Sequence, residues 1–327
     1  MHPAFSVIFL TTLIGVGQGL FLALYTVQIY SMMNLLPAQN SQSFYAMGSL
    51  LVLIFLALGL FASFFHLGHP MRAWRSVAGW RTSWLAREVL VLPTTMFLIA
   101  LYGAVHYFGW TEPLFTLAQT QPIDPSLIIG ALATLSTFIL FICTSMIYAG
   151  LKFLPQWHNP LTIVNYILLG TASGFALAAA FGAIWGNGVV EFYALWAIVL
   201  TVGVFVTRVI TLLHNRNIKP QSNLQTAIGV RHTIIAQKAQ GAMGGSFNTR
   251  EFFHNQSLDT LKSVKITFLI LVFPIPIILL LGAISGFSPF NLAIGAFVIQ
   301  YLGLIAERWH FFTEGKHPQN LYYQTVA

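Results

Sequence analysis

The sequence is short of charge. Only 7% of its 327 residues are Asp, Glu, Lys or Arg, while 57% are hydrophobic and 14% aromatic; soluble domains carry about 25% charged residues. So little polar material cannot cover a water-facing surface, which excludes a soluble globular fold and places the chain in lipid. Cysteine is also scarce, with Cys143 alone. A disulfide needs two cysteines and an iron–sulfur cluster about four, so any cluster that feeds this protein belongs to a partner chain. The N-terminus has neither a Lys/Arg-rich start nor a small-residue cleavage site, and the first apolar stretch is therefore expected to remain as a span. Period-2 alternation is missing as well. Leu50 to Phe65 and Ile266 to Leu281 are almost continuously apolar, which excludes a porin-type barrel and leaves helices. No internal repeat or low-complexity tract is present.

Apolar stretches of about 20 residues, enough to cross a bilayer as a helix, recur along the chain. They lie near residues 5–30, 44–66, 84–108, 127–150, 161–184, 190–213, 264–284 and 289–311. The expected fold is an all-α integral membrane protein, an eight-helix bundle forming one membrane domain. The net charge of +7 would suggest nucleic acid in a soluble protein; here it is a topology signal. With eight spans, all fifteen Lys and Arg fall at one end of the bundle, and the opposite loops hold Glu112, Asp124 and Glu191. The positive-inside rule then puts the basic end and both termini in the cytoplasm, at the inner membrane.

One connection, residues 214–263, is long, polar and basic. Loops of that length are usually functional or disordered. Arg231, Phe247, Arg250, Phe252 and Phe253 give it the arginine and aromatic content of a protein interface, so it is read as a docking surface rather than a solvated linker held near anionic headgroups. The spacings Gly15/Gly19, Gly170/Gly174, Gly182/Gly186 and Gly282/Gly286 allow close helix packing and carry no function of their own.

Ionisable groups at membrane depth are costly and point to function. A third helix starting at Thr82 or Ser83 puts Glu88 about 8 Å along its axis, on the same face as Trp84 and Arg81. That carboxylate could balance the helix dipole and a neighbouring arginine, or pass protons to a diffusing quinone. His66 closes the second helix and opens His66-Leu67-Gly68-His69-Pro70-Met71-Arg72-Ala73-Trp74-Arg75. A histidine there can hydrogen-bond a quinone carbonyl and donate to it, or serve as an interfacial anchor. The stretch from His66 to Glu88, with Arg72, Arg75, Arg81 and Trp84, is the candidate quinone site. A single b haem between His66, His214 and His310 is geometrically open but not favoured, and His106, at the other face, has no obvious partner. Glu307, His310 and Glu314 read as a helix end meeting the headgroups. A transporter would need polar mid-span groups and broken helices; Gln18, Asn165 and Gln300 are the main polar exceptions.

At these segments the chain resembles the membrane anchor family of molybdopterin oxidoreductases, the group of the dimethyl sulfoxide reductase anchor, and within it the anchors of cytoplasmic sulfite:quinone oxidoreductases. The resemblance rests on His2-Pro3-Ala4-Phe5-Ser6-Val7-Ile8, on His66 to Glu88, on Gly244-Gly245-Ser246-Phe247-Asn248-Thr249-Arg250-Glu251-Phe252-Phe253-His254, and on Glu307-Arg308-Trp309 through His317-Pro318-Gln319-Asn320-Leu321-Tyr322-Tyr323. It implies an eight-helix anchor working with a molybdenum catalytic subunit and an Fe–S electron-transfer subunit. It also implies quinone contact at a histidine ending helix 2 and a glutamate early in helix 3, which fall on His66 and Glu88. The sulfite anchors are favoured by the arginine and tryptophan content between those two residues.

Overall fold

A computed structural model describes residues 1–117, 121–219, 223–235, 254–318 and 320. Among the described residues, eight helices are long and apolar enough to cross a membrane. In chain order the elements are α1 (Phe5–Met32), α2 (Met47–Ser63) entered through a π-helical turn Ser41–Ala46, a 3-10 segment Pro70–Gly79, α3 (Trp84–Phe108), α4 (Pro125–Ala149), α5 (Pro160–Trp185), α6 (Val190–Asn217), the short α7 (Leu224–Ile228), α8 (Leu258–Val272), α9 (Pro274–Ile284) and α10 (Pro289–Glu314). Between α3 and α4 a small antiparallel pair, β1 (Phe115–Leu117) and β2 (Gln121–Ile123), sets Phe115 opposite Ile123.

Local chemistry starts these helices where the sequence says it should. Ser83, Asp124, Asn159 and Ser257 each turn a side-chain oxygen onto a backbone N–H of the first turn, satisfying donors that a helix leaves unpaired. Pro125, Pro160 and Pro289 follow at the first helical position, where a missing N–H costs nothing.

The bundle is built around α1 and α5, which pack against each other and between them touch α2, α4, α6 and α10. The contact is backbone to backbone. A Cβ on Gly19 would strike the Gly170 carbonyl, and one on Gly174 would strike the Gly19 backbone and the Leu20 amide. Lipid offers no hydrophobic drive for helix association, so close approach and the dispersion it brings hold such pairs.

The seventh span is discontinuous. It breaks at Phe273 (φ −107°, ψ −77°) between α8 and α9, where Pro274 and Pro276 remove two backbone donors. Pro276 leaves the Val272 carbonyl without its helical partner, and the Gln300 amide of α10 donates to it at 3.3 Å and to Thr201 Oγ1 at 3.1 Å. The other mid-span polar groups are likewise tied inside: Gln18 Nε2 donates to the Thr137 carbonyl at 3.0 Å, and Asn165 takes Thr207 Oγ1 at 2.7 Å and gives to Thr211 Oγ1 at 2.9 Å. These amides glue helices together, and among the described residues no charged side chain sits at the break.

Candidate functional site

The basic end carries the stretch between α2 and α3. None of Pro70–Gly79 is buried, and Met71, Trp74 and Trp80 are largely exposed. Guanidinium groups lie over indole rings: Arg75 over Trp74 at 5.6 Å, Arg81 over Trp80 at 5.6 Å, and Arg87 over Trp84 at 4.1 Å. Arg87 also donates to the carbonyls of Trp80 (2.9 Å) and Arg81 (2.8 Å), which pins the segment to the first turn of α3. Arg72, Arg75 and Arg81 are all exposed. Amphipathic rings and basic heads displayed this way suit the headgroup layer, where one end of each group is apolar and the other wet.

Glu88 points the other way. It is the fifth residue of α3, 6% exposed, and its Oε1 accepts a 2.5 Å hydrogen bond from Thr144 Oγ1 on α4. Trp84, one turn earlier, lies beside Gly150 at the end of α4. Among the described residues no cation lies within ion-pair distance of Glu88, so it does not neutralise Arg81 or Arg87. A buried carboxylate with a hydroxyl donor and no cation is suited to taking up and releasing a proton.

His66 stands just past α2, in a turn bonded back to Ser63, and is exposed. Packing around its ring lowers its pKa from the ordinary 6.5 by desolvation, which favours the neutral imidazole, able to donate from one ring nitrogen and accept at the other. Next to it, an apolar groove of about 330 Å³ opens between the basic ends of α1 and α2, lined by Ser6, Phe9, Leu13, Leu58, Phe61, Ala62 and Phe65. That volume is within the range of small-ligand sites. His66 and Glu88 sit at adjoining helix ends, and no hydrogen bond or ion pair among the described residues joins them. Arg72, Arg75, Arg81 and His66 are thus exposed at the basic end, Trp84 is half-buried and Glu88 is buried.

One cluster departs from the sequence reading. Glu307, His310 and Glu314 are not a helix end in the headgroups: Glu307 is 1% exposed and the other two are turned inward. Arg208, which its sequence position groups with the basic loops, is buried with them at 1%. Its Nε meets Glu307 Oε1 at 2.8 Å and its Nη2 meets Glu314 Oε2 at 3.1 Å. Arg308 Nη1 lies 3.4 Å from Glu307 Oε2, and His310 Nδ1 3.6 Å from Glu314 Oε2. The Arg308 guanidinium also stacks on the Tyr166 ring at 3.6 Å. Two arginines and two glutamates cancel, which is the condition for keeping ions out of water. The sequence held the signal: Arg208 falls inside the apolar stretch 190–213.

His106, which has no second histidine facing it for a haem among the described residues, is held by hydrogen bonds. At the opposite end its Nδ1 is 2.7 Å from Ser41 Oγ and its Nε2 3.5 Å from Gln28, with Tyr45 stacked on the ring at 4.6 Å. Tyr102 Oη donates to Gln28 Oε1 at 2.8 Å, Gln28 to Ser126 Oγ, and Ser126 to Asp124 Oδ1. Of the docking residues, Arg231 is exposed, whereas Phe247, Arg250, Phe252 and Phe253 lie outside the described residues.

The family model of the DMSO reductase anchor subunit (DmsC) matches residues 1–283. The chain belongs to the DMSO reductase anchor subunit family. This anchor is also 56% identical over 328 residues, covering all of both chains, to a sulfite dehydrogenase subunit of Allochromatium vinosum. It is therefore a multi-pass membrane anchor subunit of an oxidoreductase complex.

Proposed function

We propose that this anchor passes electrons from sulfite oxidation to the quinone pool of the inner membrane, at a site on its cytoplasmic, basic end. The full-length identity to a sulfite dehydrogenase subunit supports sulfite as the electron source, ahead of a reductase-type anchor that would draw electrons from quinol. A molybdenum catalytic subunit and an Fe–S subunit supply the electrons, since this chain has one cysteine. Arg231, Phe247, Arg250, Phe252 and Phe253, with the exposed basic surface, dock the Fe–S subunit.

The observation that carries the reading is the buried carboxylate of Glu88, which accepts from Thr144, has no cation at ion-pair distance among the described residues, and lies in the first turns of the helix that follows the exposed arginine and tryptophan segment. Quinone supplies two-electron, two-proton acceptor chemistry when bound. His66 holds a ring carbonyl by hydrogen bonding, the groove beside it takes the apolar part, and Trp84 borders the ring. Arg72, Arg75 or Arg81 stabilises negative charge that develops on the oxygens. Glu88 and His66 relay the protons from the cytoplasm, His66 by accepting at one ring nitrogen as it donates from the other.

The test is to purify the complex with and without this chain and supply sulfite. With the anchor, a short-chain ubiquinone or menaquinone analogue should be reduced. Without it, the remaining subunits should reduce ferricyanide but neither quinone. Equal quinone reduction in both preparations would refute the proposal.

A further inference from the structure

Glu88, as the proposed proton donor to quinone, is closed off from water, so its protons need a way in. Thr144, whose hydroxyl donates to Glu88, also lines a cavity enclosed by α1, α4, α5 and α10. Thr11, Thr12, Gln18, Tyr166 and Arg308 contribute polar groups to the same wall. About 20 Å³ of it is open to water centres, which is room for a water molecule and far too little for a quinone ring. Tyr166 and Tyr148 stack at 5.8 Å, and the Arg308 guanidinium lies over the Tyr166 ring at 3.6 Å. Tyr166 Oη finds no well-aligned protein partner, although the Tyr148 hydroxyl is its neighbour.

Beyond Arg308 a cluster of ion pairs continues toward the end of α10. Arg308 meets Glu307, Glu307 meets Arg208, Arg208 meets Glu314, and Glu314 meets His310, at 3.4, 2.8, 3.1 and 3.6 Å. Glu314 is the last residue of α10 and the most open of the cluster's charged groups, its side chain 15% exposed. The cluster therefore reaches from the cavity to the basic end of the bundle.

We infer that protons reach Glu88 through the interior, entering beside Glu314, passing the Glu307 cluster and the water cavity at Tyr166 and Arg308, and arriving through Thr144. This rests on the proposed role of Glu88. Arginine does not release its proton, so Arg208 and Arg308 hold the carboxylates in place, and water bridging Glu314 to Glu307 and Glu307 to the cavity carries the proton across each arginine. Each transfer breaks one O–H or N–H bond and makes another, and the Thr144 hydroxyl accepts from the cavity as it donates to Glu88. Two protons enter for every two electrons delivered by the partner subunits.

Two substitutions in the intact complex test the route, with Glu88→Gln as the reference. Glu307→Gln and Tyr166→Phe should each lower kcat for sulfite-dependent reduction of a short-chain ubiquinone by about tenfold or more. KM for the quinone and the ferricyanide rate should stay unchanged, and the solvent deuterium isotope effect should rise as proton transfer becomes limiting. A structural role alone would not raise the isotope effect. Tyr166→Phe keeps the ring under Arg308 and so keeps the test decisive if Glu307→Gln fails to assemble. Wild-type kcat and isotope effect in Tyr166→Phe together with loss of turnover in Glu88→Gln would overturn the route and leave the quinone reading standing. Wild-type turnover in Glu88→Gln would instead sink the reading on which the route rests.

Discussion

Arg208 and Glu88 are both charged groups inside a membrane bundle, and their surroundings give them opposite characters. Arg208 is held by two carboxylates on α10, so its charge is compensated on the spot. Removing one side of such an arrangement leaves buried ions without a partner and costs about 3–5 kcal/mol. Arg208→Met should accordingly lower the thermal midpoint of the purified chain in detergent by several degrees or prevent its recovery, while the exposed Arg216→Met should not. Equal midpoints would show that the cluster does not support the fold. Glu88 has a hydroxyl and, among the described residues, no cation, which costs stability to keep a titratable group. Glu88 is legible in the sequence because a carboxylate in an apolar helix stands out. Arg208 stands out in the same way inside its apolar stretch, but its pairing with Glu307 and Glu314 is not legible, because α6 and α10 are about 100 residues apart and pairing across that distance leaves no local pattern. The surroundings of His106 are hidden for the same reason, since its partners Gln28 and Ser41 lie on α1 and before α2.

At the scale of elements, the helices are legible and their seams only partly so. Caps, prolines at first positions and apolar lengths mark the eight spans directly in the sequence. The small-residue spacings indicate close packing, and the α1–α5 crossing uses Gly15/Gly19 and Gly170/Gly174 together, backbone against backbone. Gly174→Ala would force the two helices apart and is expected to destabilise the chain by about 1–3 kcal/mol. Gly203→Ala on α6 meets nothing within 4 Å and should be neutral or slightly stabilising, as a helical alanine replaces glycine. Thermal midpoints of the two variants check this, and equal losses would contradict the seam. The break in the seventh span escapes a sequence reading: Pro274 and Pro276 are visible, but only the fold brings Gln300 and Thr201 to the carbonyl they expose.

For the whole molecule, the distribution of charge is the strongest feature of the sequence, and its meaning is orientation. Cys143 is 2% exposed, so an introduced surface cysteine can be read almost without background. In spheroplasts, Glu112→Cys is expected to react with a membrane-impermeant maleimide, and Arg216→Cys to react after permeabilisation. The reverse pattern would invert the proposed topology and place the site on the outer face. An eight-helix anchor with one basic end also explains how a single chain can serve as both membrane attachment and electron outlet. In the proposed account the partner approaches that end, and the exposed Arg72, Arg75 and Arg81 with Trp84 receive both protein and lipid-borne quinone.

Proton delivery by Glu88 at the quinone site is the central claim, and the measurement closest to it compares two acceptors on one variant. In the purified complex, Glu88→Gln should abolish sulfite-dependent reduction of a short-chain quinone while sulfite-dependent reduction of ferricyanide continues at the wild-type rate and all subunits remain assembled. Quinone reduction at the wild-type rate in that variant would contradict the account.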